Sequence, residues 1–319
     1  MPVVEIQNLT KDYELGFLRK RKVRALDNLS LTVEGGEIFG FLGANGAGKT
    51  TTLKLLMRLI FPSAGKAFIL GRDIQDVRMH ERIGYLPENP YFYDYLTARE
   101  FLEYCAELFG FSSAERKKRT ADLLARVRLD EKRWDTQLRK FSKGMLQRVG
   151  LAQSLINDPE IVFLDEPMSG LDPVGRREVR DLIASLRQDG KTVFMCSHIL
   201  SDIEVLCDRV AILRRGRLAQ VGPLDELRQR GDDRDRMEVL ATGIDATTLR
   251  KYLPNTDIAA TARGLRIEID AENDFDEVLL ALRNAGGKLV SVQPLKQSLE
   301  ELFLDDSDSS SQTPLSVNP

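Results

Sequence analysis

The segment GANGAGKT, Gly43 to Thr50, constrains this chain more than any other. It follows an apolar run, Glu37 to Leu42 (EIFGFL), and precedes an apolar-periodic stretch, Thr51 to Ile60. Strand, glycine-rich loop and helix in that order match the phosphate-binding pattern Gly-x4-Gly-Lys-Thr. Glycines let backbone N–H groups turn inward toward an anion where a Cβ would clash. The helix N-terminus adds unpaired donors and the positive end of a dipole. The nucleotide-contacting set is read as Gly43, Asn45, Gly46, Ala47, Gly48, Lys49, Thr50 and Thr51. In it the Lys49 ammonium reaches the β- and γ-phosphates and the Thr50 hydroxyl ligates Mg2+. The pattern predicts a chain that binds a nucleoside triphosphate.

Charge and composition narrow the class. Lys and Arg total 46 against 49 Asp and Glu, a net charge of −3. That balance gives no electrostatic footprint for a nucleic-acid partner, and none is expected. No apolar run approaches the roughly 18 residues of a spanning helix. The start MPVVEIQNLT lacks the cationic-then-apolar pattern of a secretory signal. Cys105, Cys196 and Cys207 have no metal-ligand spacing and read as reduced thiols in a cytosolic protein. A membrane role would have to come through a partner.

Val3 to Leu9 and Val23 to Val33 read as strands of an N-terminal sheet, joined by a basic loop, Phe17 to Arg24. The helix after the glycine loop is expected to run to Phe61-Pro62. Short apolar runs at Lys66 to Leu70, Ile83 to Leu86, Ile161 to Leu164, Thr192 to Cys196 and Arg209 to Leu213 alternate with helical patterns. Continuous apolar strands of this kind predict a parallel sheet covered on both faces. Between Leu96 and Asn157, charged helical periodicity predicts a helical insertion, bounded at about residues 89–157. Residues 1–232 are read as the main domain, and GDDRDR as a linker. Residues 235–304 carry the order β-α-β-β-α-β of a small ferredoxin-like unit. SLEELFL, Ser298 to Leu304, reads as a closing helix, and the Ser-rich 305–319 as a disordered tail.

The run IVFLDE, Ile161 to Glu166, ends a buried strand in two acids. Such a strand delivers Asp165 to the C-terminal sheet edge beside the glycine loop, as a Mg2+ holder. Glu166 then lies near the γ-phosphate, where it can orient or deprotonate an attacking water. FSKGMLQR (Phe141 to Arg148) precedes this run, PMSGLD (Pro167 to Asp172) follows it, and His198 stands just past TVFMC.

With these motifs in this order, the chain resembles the ATP-binding cassette family over about Val4 to Pro223. The resemblance implies a P-loop NTPase: a RecA-like α/β core with an antiparallel N-terminal sheet and a helical insertion. It implies ATP and Mg2+ as cofactors. It makes Ser142 and Gly144 the signature residues that grip ATP held by a second protomer, and Asp172 a dimer contact. His198 becomes the switch histidine on the γ-phosphate, catalytic with Lys49 and Glu166, and Tyr13 the aromatic on adenine. Two motifs depart from the family pattern. Lys143 and Met145 stand where Gly and Gln are usual. Glu88 in YLPEN stands where glutamine is usual, and a carboxylate there can still hold a hard cation. YLPEN with FSKGM is similar to exporter-type bacterial subunits whose permease is a separate chain. The expected assembly is a homodimer on an integral-membrane permease, at the cytoplasmic face of the cell membrane. Tyr91, Phe92, Tyr93 and Tyr95 follow Glu88 in the region that would receive the permease. The C-terminal unit would support dimerisation or touch the permease.

Two other functions share the motifs. A non-transport cassette ATPase of the translation or repair kind usually carries two cassettes or long coiled coils; this chain has one glycine loop and no sustained heptads. A regulatory module would bind ATP with negligible hydrolysis.

Overall fold

The computed structural model describes residues 2–16, 21–230, 236–254, 256–261 and 263–294. The chain divides into two units, Met1–Leu224 and Asp225–Pro319. In the first, β1 (Pro2–Leu15) and β2 (Arg21–Glu34) form a long antiparallel hairpin. Both strands run further than the apolar pattern alone indicated, because cross-strand pairing continues through exposed residues to Leu15 and Arg21. β3 (Ile38–Leu42) enters the core and leads through the glycine loop to α1 (Lys49–Leu56). That helix ends well before Phe61-Pro62, because Arg58 takes a left-handed φ of 53°. β4 (Ala64–Ile69) and β5 (Arg72–Asp73) complete an antiparallel sheet in the order β2-β1-β4-β5.

β6 (Ile83–Leu86) leads into the helical insertion of α2 (Ala98–Leu108), α3 (Ser113–Arg126) and α4 (Lys143–Ser154). Reciprocal capping boxes start two of these helices, Thr97 with Glu100 and Ser112 with Glu115. The chain returns through β7 (Ile161–Asp165), α5 (Pro173–Gln188), β8 (Thr192–Ser197), α6 (Leu200–Leu206), β9 (Arg209–Arg214) and β10 (Arg217–Pro223). The larger sheet has the order β10-β9-β3-β8-β7-β6. Its strands pair in parallel except β10, which lies antiparallel at the edge. β10 was not visible in the sequence, because an edge strand keeps exposed polar residues and shows no apolar run.

Every residue of β3, β7 and β8 is buried. Phe194 packs against both Phe39 and Phe163 at their centre, each ring centroid 5.5 Å from its own. A two-sided apolar environment explains why these strands read as unbroken hydrophobic runs. It also fixes their C-terminal ends, from which the site is built.

In the second unit, α7 (Leu224–Arg230) leads to β11 (Arg236–Thr242), α8 (Ala246–Leu249), β12 (Asp257–Thr261), β13 (Gly264–Asp270), α9 (Ala271–Asn284) and β14 (Lys288–Pro294). The antiparallel sheet order β12-β13-β11-β14 is that of a ferredoxin-like fold. Val239, Ile267, Ile269 and Val278 lie in its core. SLEELFL, the Ser-rich tail and residues 231–235 of the expected linker lie outside the described residues.

Candidate active site

The glycine loop turns directly off the end of β3. A Cβ at Gly43 would lie 2.8 Å from the Leu213 carbonyl oxygen, so the loop can leave the strand only through glycine. Gly48 has φ of +110°, and a Cβ there would stand 2.8 Å from the Ala25 carbonyl oxygen. Lys49 opens α1 with its side chain only 6% exposed. An ammonium so buried needs partners. Its Nζ donates to the Gly43 carbonyl at 2.7 Å and stands 3.3 Å from Glu166 Oε1.

β7 delivers the two acids. Asp165 is fully buried, and neither of its carboxylate oxygens has a hydrogen-bond partner. Burial pushes its pKa up to about 6; the nearby Thr50 hydroxyl and Lys49 act downward, while the Glu166 and Glu88 charges act upward. Glu166 has a left-handed φ of 50°. Such a backbone costs about 1 kcal/mol or more in a non-glycine residue and concentrates at functional sites. The turn places Glu166 Oε2 2.8 Å from Nδ1 of His198, just past β8.

The glycine loop, the start of α1 and Glu166 surround a cavity of about 310 Å³, with His198 outside its lining. Asn45, Gly46, Gly48, Lys49, Thr50, Thr51, Glu88 and Glu166 line it, together with Ala25 from β2. Gly43 and Ala47 form the loop behind it, with Gly43 supplying the carbonyl that holds Lys49. Asp165 sits behind Thr50, close enough for their groups to interact. The arrangement offers the N-terminus of α1 and one ammonium for phosphates. Two acids stand where a metal and a water would meet them. The orphaned oxygens of Asp165 beside the Thr50 hydroxyl suit a hard divalent cation.

Ser142, Gly144, Asp172 and Tyr13 do not line this cavity. Ser142 caps α4, accepting from Met145 N at 3.3 Å, and Asp172 caps α5, accepting from Gly175 N at 2.8 Å. The two loops pack on each other: Lys143 lies across Gly170, and a Cβ at Gly144 would meet only Leu171, at 3.6 Å. Tyr13 pairs with Val23 across the hairpin, and Lys11 Nζ lies 5.2 Å from its ring centroid.

Sequence reasoning missed three contributors. Ala25 lines the cavity by position in the hairpin and carries no chemical signal. The left-handed Glu166 has no residue-type signature. Gln147 is buried and donates to the Pro167 carbonyl at 2.8 Å, tying α4 to the loop after the acids. A polar residue inside the apolar periodicity of α4 is the signal that could have found it.

Comparison with known proteins gives the same picture. The ABC transporter family profile matches residues 26–169. An ABC transporter ATP-binding protein of Synechocystis sp. is 47% identical, over 95% of this chain and 84% of the relative. The bacitracin transport ATP-binding protein BcrA of Bacillus licheniformis is 40% identical, over 72% of each chain. Among solved structures, a dimeric post-hydrolysis state of the ATP-binding cassette MJ0796, bound to ADP and Pi, aligns with a TM-score of 0.64 and 28% identity. That alignment covers 69% of this chain and 98% of the cassette. Kinship along nearly the whole length and a shared cassette fold agree: this chain belongs to the ABC transporter family, as one of its ATP-binding, ATP-hydrolysing subunits.

Proposed function

We propose that two copies of this chain close on ATP with Mg2+ and thereby drive a separate membrane permease in the export direction, from the cytoplasmic face. The observation that carries the reading is Glu166, held between Lys49 at 3.3 Å and His198 at 2.8 Å. Incoming phosphate draws the Lys49 ammonium from Glu166. The freed carboxylate then orients water and accepts its proton, while His198 fixes the carboxylate from the other side. Thr50 and Asp165 would hold Mg2+, with Glu88 as a further oxygen donor, and the cation would supply positive charge against the triphosphate.

The dimer is supported by residues with no task in their own cavity. Ser142 is exposed, and Gly144 has room for a side chain within its own chain. A partner's phosphate approaching the start of α4 would give both a purpose, and Asp172 would sit at the same seam. Tyr13 is assigned to adenine. A separate permease is supported by an exposed aromatic ladder. Tyr91 is 88% exposed, Tyr93 stacks within 6.5 Å of Tyr91, Tyr95 and Tyr104, and Phe92 turns inward onto Phe101. On the same helix as Tyr104, Leu108 borders an apolar hollow of about 320 Å³ together with Leu59 and Phe109. Exposed aromatics and aliphatics in one region mark an interaction surface. Among the described residues no helix is long and apolar enough to cross a membrane. The export direction rests on the likeness of YLPEN and FSKGM to exporter-type subunits. The C-terminal unit is assigned to dimer support or to contact with the permease.

The test is phosphate release and light scattering on the wild type and Glu166→Gln with ATP and Mg2+. The variant is expected to form a persistent ATP-dependent dimer with little turnover. Full turnover by the variant, or a monomer at every concentration, would remove the reading.

A further inference from the structure

Three carboxylates and one ammonium meet at this cavity. Glu88 and Glu166 line it with Lys49, and Asp165 is buried behind Thr50. Glu166 is engaged by Lys49 and His198. Asp165 has no hydrogen-bond partner, and among the described residues no ion pair joins Glu88 to a cation. The site thus presents three carboxylates against one ammonium to an incoming triphosphate, itself an anion. A divalent cation between carboxylates and phosphates offsets part of that repulsion, because it attracts both. The chain cannot cage the cation by itself: among the described residues no three His, Cys, Asp or Glu side chains converge on a metal position. Water and phosphate oxygens would complete the shell.

We propose that Glu88 makes this cavity select the metal-loaded nucleotide over the free nucleotide. Nucleotide affinity then depends more steeply on a divalent cation than it would with a neutral side chain at position 88. The inference rests on the reading that the cavity takes ATP. One unit charge across a partly open cavity changes affinity by about tenfold.

Isothermal titration of the full chain with a non-hydrolysable ATP analogue tests it, in EDTA and in excess Mg2+ at fixed ionic strength. Glu88→Gln is isosteric and Glu88 is exposed, so the fold is preserved. The ratio of Kd in EDTA to Kd in Mg2+ is expected to be about tenfold larger for the wild type than for Glu88→Gln. Glu88→Gln is expected to bind more tightly than wild type in EDTA but not in Mg2+. Glu88→Ala is expected to share the gain in EDTA. Equal ratios in wild type and Glu88→Gln, with binding retained, would overturn the inference and leave the ATP reading standing. Absence of binding by the wild type in both conditions would overturn both.

Discussion

His198 Nδ1 lies 2.8 Å from Glu166 Oε2, although the two residues end different strands. The contact depends on β7 and β8 pairing in parallel, with Asp165 opposite Cys196. It also depends on the left-handed turn at Glu166. One acid is thereby held on two sides, by an imidazole and by the Lys49 ammonium. An acid so held is poised to be released toward water when phosphate claims the lysine.

Glu166→Gln keeps the shape of that side chain but removes its capacity to take a proton. ATP affinity is expected to stay within about twofold, while turnover falls by about 10²–10⁴-fold. Titration calorimetry and phosphate release, run side by side, check the split.

His198→Ala removes one of the two groups holding Glu166. The expected result is a loss in kcat of at least about tenfold with little change in nucleotide affinity, since His198 does not line the cavity. An equal loss in affinity would show that the imidazole serves binding instead.

Lys49→Ala withdraws the only ammonium lining the cavity among the described residues. Nucleotide affinity is expected to fall by about a hundredfold or more, because charge-assisted contacts to phosphate are lost. Equilibrium binding measured with a fluorescent ATP analogue provides the check.

Gly84→Ala probes the packing that sets the loop bearing Glu88. A Cβ at Gly84 would lie 2.0 Å from the Ser154 carbonyl oxygen at the end of α4. The backbone must shift, with an expected cost of about 1–3 kcal/mol. Denaturant unfolding of the variant reads this loss.

Asp202→Asn tests a buried acid on α6. Burial pushes the Asp202 pKa up, with Glu166 acting in the same direction and Arg176, Arg180 and His198 opposing. A raised folded-state pKa means the folded protein binds more protons than the unfolded chain across that window. Its contribution to stability therefore falls as pH rises through the window. The asparagine variant is expected to be more stable than wild type at neutral pH. The difference should close as pH falls below the ordinary carboxylate range. Melting temperatures across pH would show this; a constant gap would contradict it.

Much of the site was legible from the sequence because its chemistry uses contiguous residues. GANGAGKT binds through one turn of backbone, so its order along the chain is its geometry. IVFLDE announced both a buried strand and its acidic end. The strands β3, β7 and β8 were equally visible, since burial on both faces leaves an unbroken apolar run. Tertiary structure alone decided what depends on pairing between distant segments. It set the left-handed turn at Glu166, the meeting of Glu166 with His198 and Lys49, and the exposed edge strand β10. It also left Asp165 with two unpartnered oxygens in a fully buried position, and placed Glu88 on the cavity wall. Local sequence encodes conformational preference and burial. Which side chains share a cavity is fixed only when the sheet order brings strand ends together.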